Sequence, residues 1–245
     1  RELAAWVRHM GGQEIWDDIY DQFGVQGFLS GDTGTQAGGW FRNELTGVAD
    51  VQGLRFRTPG LGGQVWEKLG ASVTNLAAGD IFAALQNGTL DAAEFVGPYN
   101  DLALGFYQIA KNYYFPSFIE PGLATELVVD KAKYQELPQD LQELVKYVCQ
   151  AEYDEVASDF AANDPRALQT LVNDHGVTVR QFPEEIMEAG AVAAKEILTD
   201  IRDNGDELTK RVAESYVEAF KIVRQKTDGT DSLFLRAREQ YFTLD

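Results

Sequence analysis

The stretch Gly53-Leu54-Arg55-Phe56-Arg57-Thr58-Pro59-Gly60 has the pattern of a short β-strand, Leu54 to Arg57, that ends at a proline–glycine turn. Side chains alternate between the two faces of a strand, so Leu54 and Phe56 are predicted to face the core. Arg55 and Arg57 then share the other face. Two arginines at the inner end of a strand are costly unless an anion meets them, and a planar guanidinium matches a carboxylate bidentately. We hypothesise that Arg57 binds the carboxylate of a small organic acid; the alternative is a surface strand with two solvated arginines.

Short strands and short helices alternate around this stretch, which indicates βαβ units and a mostly parallel sheet. From Lys131 onward the apolar spacing becomes mainly helical, and Leu137-Pro138 precedes a long helical run. We therefore expect an α/β fold with a helical C-terminal third. The strands are predicted at residues 51–57, 71–75 and 89–96, and the later helices at 139–163, 208–226 and 232–242.

Length and composition limit the size of the fold, the kinds of binding partner and the kinds of metal site that this chain can have. The chain has 245 residues, enough for one large domain or two small lobes. Its 39 acidic and 21 basic residues give a net charge of −18, which argues against a nucleic-acid or anionic-membrane partner. The single cysteine, Cys149, excludes an internal disulfide, and His9 and His175 are too far apart in sequence to suggest a histidine-based zinc site.

Glu94 is the second candidate site residue. In the segment Ala92-Ala93-Glu94-Phe95-Val96, strand alternation gives Glu94 apolar neighbours on its own face. A carboxylate in such surroundings needs a partner, because burial of an unpaired charge is costly. Arg57 or a metal ion would serve, and an exposed glutamate on an edge strand is the alternative.

Four further residues could contribute to a binding site. Gln36 carries an amide oxygen in a glycine-rich loop, and amide, carboxylate and backbone oxygens are what Na+ or Ca2+ requires. Tyr99 and Asn100 follow a predicted strand end, where ligands bind in open α/β sheets, although Asn100 could instead cap the next helix. Trp40, like Trp66, could form a pocket wall, but aromatic side chains more often belong to the core.

Four segments, in order along the chain, carry a resemblance to a known family: Gly11–Trp16, Thr35–Phe41, Gly53–Gly63 and Asp91–Asp101. They resemble the extracytoplasmic solute receptors (DctP-type subunits) of tripartite ATP-independent periplasmic (TRAP) transporters. The similarity is greatest to the branch that binds 2-oxo acids such as pyruvate, or lactate, together with a cation. It continues through Glu120-Pro121-Gly122 to the end of the chain.

The resemblance implies a two-lobed periplasmic binding protein fold with mixed sheets. Residues 1–30 and 94–122 would form the remnant of lobe one, residues 31–93 and 123–204 lobe two, and residues 205–245 C-terminal helices that are a candidate dimerisation element. Family members begin well upstream, with a leader and the first βαβ units of lobe one. We therefore expect this chain to lack part of its site and to bind weakly or not at all in isolation.

The resemblance also implies a site. Arg57 would bind the ligand carboxylate, while Gln36, Glu94 and the backbone carbonyl of Phe95 would hold Na+ or Ca2+ between ligand and protein. Many relatives have tryptophan at the position of Phe95, so the wall of the pocket differs here. Tyr99, Asn100 and Trp40 remain substrate-binding candidates.

The implied protein is a receptor and not an enzyme. Its partners would be a small organic acid, the membrane permease subunits of the transporter and, in a homodimer, a second copy; its location would be the periplasm. The alternative is a metal-dependent enzyme acting on 2-oxo acids, which would also need a general base near the reacting carbon. The sequence offers no candidate for that base.

Overall fold

The computed structural model describes residues 2–242, which form eight strands and ten α-helices. The strands are, in chain order, β1 Val25–Asp32, β2 Gly39–Phe41, β3 Arg55–Arg57, β4 Ser72–Thr74, β5 Ala92–Ala93, β6 Asn112–Phe115, β7 Ala124–Asp130 and β8 Thr178–Gln181.

The helices account for most of the second half of the chain. They are α1 Glu2–His9, α2 Gly12–Asp21, α3 Gly60–Lys68, α4 Ala78–Gln86, α5 Pro98–Leu104, α6 Lys131–Gln135, α7 Gln139–Asn173, α8 Glu184–Asn204, α9 Glu207–Lys226 and α10 Ser232–Tyr241. None of the helices described is both long and apolar enough to span a bilayer.

The chain divides into two compact units. The first comprises Arg1–Leu29, Glu126–Lys146 and Leu198–Asp245, and the second comprises Ser30–Thr125 and Tyr147–Ile197. Four elements, β1, β7, α7 and α8, contain residues of both units.

In the first unit, α1 and α2 pack against α9. Trp6 Nε1 donates a hydrogen bond to Ser215 Oγ at 3.0 Å, and the Trp6 ring meets the edge of the Tyr216 ring. Gly11 adopts a φ of 84°, a conformation that favours glycine, and this separates α1 from α2 as the Gly11-Gly12 pair predicts.

The second unit is built on a six-stranded sheet in the order β4-β3-β5-β2-β6-β8. β3 is parallel to β4 and β5, and β6 is parallel to β8, whereas β2 is antiparallel to β5 and β6. The sheet is therefore mixed, as the resemblance implies, because one short reversed strand separates its parallel parts. The predicted alternation of strands and helices over residues 51–96 is confirmed, but two strands are shorter than predicted: β3 begins at Arg55, after a 3-10 helix at Val48–Val51, and β5 contains only Ala92–Ala93.

The units differ from the lobe bounds expected from the resemblance. Residues 94–122 lie in the second unit with residues 30–93, because β5 and β6 both pair with β2. Residues 205–245 lie in the first unit. The assignment of lobes stays a prediction.

Candidate functional site

The carboxyl ends of β3, β5 and β6 lie at one edge of the six-stranded sheet. β3 is parallel to β5, and both β5 and β6 are antiparallel to β2, so β2 begins where the other three strands end. Ligands in open α/β sheets bind beyond such strand ends. The segments that follow β3, β5 and β6, and the loop that precedes β2, therefore meet at this edge.

The two arginines of β3 have different surroundings. Arg55 is exposed, and its Nε donates to Asp91 at 2.8 Å near the amino end of β5. Arg57 is only 8% exposed and sits two residues further on, near the end of β5. The alternative of a solvated arginine thus describes Arg55 and not Arg57.

Backbone carbonyl groups hold the guanidinium of Arg57 in place. Nε donates to Leu76 O at 3.1 Å and Nη1 donates to Glu94 O at 2.6 Å, while the ring of Phe95 lies 5.6 Å from the guanidinium carbon. Burial lowers the pKa of Arg57, and the negative charges of Glu94 and Glu120 oppose that shift. Arginine nevertheless stays charged, and neither bond uses Nη2, which can bind an anion.

Two glutamates converge near Arg57. Glu94 follows β5 directly and is 4% exposed, and Glu120 lies in the loop after β6. Each has a buried Oε2 without a hydrogen-bond partner. Glu94 Oε2 lies 3.7 Å from Arg57 Nη1, too far for a hydrogen bond but close enough for electrostatic attraction.

Burial raises the pKa of both carboxyl groups. Burial raises the pKa of Glu94 to about 8, the negative charge of Glu120 acts in the same direction, and the guanidinium of Arg57 lowers it. Burial also raises the pKa of Glu120, and Arg57 again opposes the shift. A cation placed between the two carboxylates would relieve both the repulsion and the missing contacts.

Backbone bonds bring the glycine-rich loop to the same place. Ser117 N–H donates to Gln36 O at 2.9 Å, and Ala37 N–H donates to Val96 O at 2.9 Å. Gln36 is 3% exposed, and its Nε2 donates to Thr33 Oγ1 at 2.9 Å, which leaves Oε1 as the atom that could bind a cation. These bonds place Gln36 between the segments that carry Glu94 and Glu120.

Gly39 explains part of the glycine content of this loop. It has a φ of 120°, and a Cβ there would lie 2.8 Å from the carbonyl oxygen of Ala93. A larger residue would therefore push the loop away from the end of β5.

Buried polar side chains are concentrated at this edge of the sheet. Within residues 2–242 they are Thr33, Gln36, Arg57, Thr58, Glu94, Asp101 and Ser117. A small cavity of about 10 Å³, the space of one ion or water molecule, lies among them. It is lined by Gly38, Thr58, Gly62, Trp66, Glu94, Ser117, Phe118, Ile119, Glu120 and Phe182. Because buried polar groups are otherwise rare, their grouping around a cavity indicates a functional site.

Among the residues predicted from the sequence, Arg57, Gln36, Glu94 and Phe95 are brought together, and Trp40, Tyr99 and Asn100 have other surroundings. Trp40 is fully buried in the core, where its ring stacks on Tyr113 at 3.9 Å. Tyr99 and Asn100 lie in the first turn of α5, and Asn100 has a buried Oδ1 without a hydrogen-bond partner.

Tyr99 has an aromatic contact of its own, and α5 has a cap residue other than Asn100. Tyr99 is 42% exposed with its ring edge against Phe160. α5 begins at Pro98 with Gly97 before it, so Asn100 is not the helix cap.

The sequence reasoning assigned no role to Glu120, Ser117 and Phe182. Each enters the site through long-range strand pairing or loop contacts. The sequence signals for Glu120 are its position between the apolar pair Phe118-Ile119 and the Pro121-Gly122 turn, and the family resemblance of Glu120-Pro121-Gly122.

A comparison with known families agrees with this architecture. Residues 2–204 match the sequence profile of the family described as bacterial extracellular solute-binding protein, family 7 (DctP). The chain belongs to this family.

A curated relative with a similar sequence extends the comparison. The chain is 37% identical over 224 residues to a monocarboxylate 2-oxoacid-binding periplasmic protein of Nostoc sp., covering 90% of this chain. It spans 60% of the length of that curated relative.

Three solved structures of TRAP solute-binding proteins have the same fold. The protein from Pseudoalteromonas atlantica, with bound sodium and pyruvate, is 35% identical with a TM-score of 0.90, covering 96% of this chain and 71% of its own. The protein from Colwellia psychrerythraea, with bound calcium and pyruvate, is 37% identical with a TM-score of 0.91 and the same coverage. The protein from Bordetella bronchiseptica is described as a dimer with calcium and picolinate; it is 31% identical with a TM-score of 0.83, covering 97% of this chain and 72% of its own.

Proposed function

We propose that this chain is the solute-binding receptor of a TRAP transporter. It captures a small monocarboxylate, a 2-oxo acid such as pyruvate, or lactate, together with a metal ion, and delivers it to the membrane permease. One observation carries the proposal: a buried guanidinium, held through Nε and Nη1, lies beside two carboxyl groups whose buried Oε2 atoms have no hydrogen-bond partner.

Arg57 is the proposed carboxylate-binding residue. Its backbone contacts hold the guanidinium still, so little side-chain entropy is lost when the ligand binds. The ligand carboxylate would accept hydrogen bonds from the remaining N–H groups, and the low dielectric of the buried site strengthens that charge-assisted contact.

Glu94, Glu120, Gln36 and the carbonyl of Phe95 are the proposed cation ligands. No group of three or more His, Cys, Asp and Glu side chains in the described part of the chain could hold a metal ion, so the donors must include amide and backbone oxygens. Carboxylate, amide and carbonyl oxygens suit Na+ or Ca2+. The unpartnered Oε2 atoms of both glutamates fit this role.

The cation supplies positive charge that lets an anionic ligand approach two anionic side chains. The cavity of about 10 Å³ takes an ion and not a three-carbon acid. Binding of the acid therefore requires the side chains around the cavity, including the rings of Trp66 and Phe118, to move apart.

The relatives support the receptor and not the enzyme. The two structural neighbours with pyruvate hold it with sodium in one case and calcium in the other, and both are binding proteins. Capture and release need no bond-making step. Incubation of the protein with pyruvate and the cation separates the two functions, because consumption of pyruvate would overturn the receptor proposal.

The family and the name of the Nostoc relative support a periplasmic location, and the TRAP solute-binding neighbours support permease partners. A homodimer is the third proposed partnership. The Bordetella neighbour is a dimer, and α10 in this chain has no buried residue, with Leu233, Phe234 and Leu235 all exposed. Exposed apolar side chains of this kind are suited to contact with a second copy of the chain.

Calorimetric titration of the natural-length protein with pyruvate tests the proposed function. We expect binding in the presence of Ca2+ or Na+ and a strong loss of affinity when both are removed, because the ligand then loses its contact with the cation. Binding that is indifferent to cations, or absent for every monocarboxylate tried, would contradict it.

A further inference from the structure

Asp101 is a completely buried carboxylate behind the proposed cation site. It lies in α5, is 0% exposed, and does not line the cavity. Its Oδ2 accepts hydrogen bonds from Trp40 Nε1 and Tyr113 Oη, both at 2.8 Å, and its Oδ1 accepts one from Val96 N–H at 3.3 Å. These three donors belong to β2, β6 and the segment after β5, which all contribute to the site.

The bond to Val96 links Asp101 to the proposed cation ligands. Val96 follows Glu94 and Phe95 immediately, and its own carbonyl accepts from Ala37 N–H at 2.9 Å. Ala37 is the neighbour of Gln36. One peptide unit held by Asp101 therefore connects the segments that carry the carboxylate, the backbone carbonyl and the amide proposed as cation ligands.

A carboxylate is a costly way to fill a protein core. Trp40 and Tyr113 stack on each other and could pack against an apolar side chain, with their polar atoms paired elsewhere. Asp101 accepts from a backbone N–H as well as from both rings. The contact with Val96 N–H holds the backbone in place and contributes nothing to side-chain packing. It lies next to the site.

We propose that Asp101 is a positioning residue that holds the backbone after Glu94 in the form that binds the cation, a role that rests on the proposed function. Nothing in this role requires Asp101 to contact the cation.

Asp101→Asn separates positioning from packing. Two donors converge on Oδ2 and one on Oδ1, so the amide oxygen of asparagine stays with Trp40 and Tyr113 while its NH2 group opposes Val96 N–H. Tyr113→Phe is the matched control, because it removes one buried hydrogen bond to the same carboxylate and leaves the Val96 contact intact.

Two measurements on the protein used for the pyruvate titration test the proposal. Hydrogen–deuterium exchange without ligand reports the backbone at Val96 and Ala37, and calorimetric titration with Ca2+ reports cation affinity. For Asp101→Asn we expect faster exchange at both amides and a ~10- to ~100-fold loss of Ca2+ affinity, as is typical of residues that orient metal ligands. For Tyr113→Phe we expect neither change beyond a lower melting temperature.

Equal behaviour of the two variants in exchange and in Ca2+ affinity would overturn the proposal. If the unsubstituted chain binds no Ca2+, the cation part of the proposed function fails, and the role of Asp101 in cation binding fails with it. If that chain binds Ca2+ and Asp101→Asn binds it equally well, only the positioning role fails.

Discussion

Arg57→Ala, compared with Arg55→Ala, is the sharpest substitution test of the site. Both arginines belong to β3 and share a face of the strand, but Arg57 is buried beside Glu94 and Arg55 is exposed beside Asp91. Truncation of one partner of a buried, hydrogen-bonded charge pair costs ~2–5 kcal/mol. At ~1.4 kcal/mol per factor of ten, pyruvate should bind ~30- to ~4,000-fold more weakly to the Arg57→Ala variant.

Arg55→Ala should leave pyruvate affinity unchanged, because its ion pair with Asp91 is at the other end of β5. Arg57→Lys keeps the charge but loses the planar fork, so its affinity should lie between those of the alanine variant and the unsubstituted protein. Calorimetric titration with pyruvate at saturating Ca2+ in the natural-length protein measures all three. Equal affinity in the Arg57 and Arg55 alanine variants would refute the assignment of Arg57.

Three further predictions concern the glutamates and the C-terminal helix. Glu94→Gln should weaken Ca2+ binding by at least ~100-fold, because a carboxylate–cation pair near 4 Å contributes about 4 kcal/mol at an effective dielectric of 20; Glu120→Gln should act in the same direction, and calorimetry measures both. Burial raises the pKa of Glu94 from 4.5 to about 8, so the folded state binds a proton there that the unfolded state has lost. Without a cation, the contribution of Glu94 to the free energy of unfolding should be greatest below about pH 4.5 and should fall as the pH rises to about 8, while Ca2+ affinity should rise over the same range. Denaturant titrations at several pH values should show this fall, and Glu94→Gln should remove it. An unchanged pH dependence of stability in that variant would contradict the assignment. Phe234→Asp should shift a dimer toward monomer in light-scattering measurements after size-exclusion chromatography, and an unchanged mass would count against the α10 interface.

Strand alternation was sufficient to predict the arginine strand and its buried Phe56, but not which arginine is buried. That difference depends on β5, where Asp91 lies near the start and Glu94 just past the end. A single strand carries no information on its neighbouring strand, so alternation places Arg55 and Arg57 on one face and the choice of Arg57 was a hypothesis.

Glu120 and Trp40 show two other limits of the sequence. Glu120 reaches the site because Gln36 pairs with Ser117 and Pro121 across more than eighty residues, and no local pattern encodes such a contact. A tryptophan that follows glycines is compatible with a pocket wall and with a core position. The stacking of Trp40 on Tyr113 and its hydrogen bond to Asp101 identify the core position. The family resemblance supplied Phe95 and placed Gln36 with Glu94, whereas the residues alone offered Gln36 only as an amide oxygen in a glycine-rich loop.

A crystal structure of the natural-length protein with calcium and pyruvate, with the ion located by its anomalous scattering, tests the central claim most directly. We predict one calcium peak within coordination distance of Glu94, Glu120 and the amide oxygen of Gln36, with the pyruvate carboxylate on the guanidinium of Arg57. An ion or a pyruvate molecule bound away from those side chains would contradict the claim.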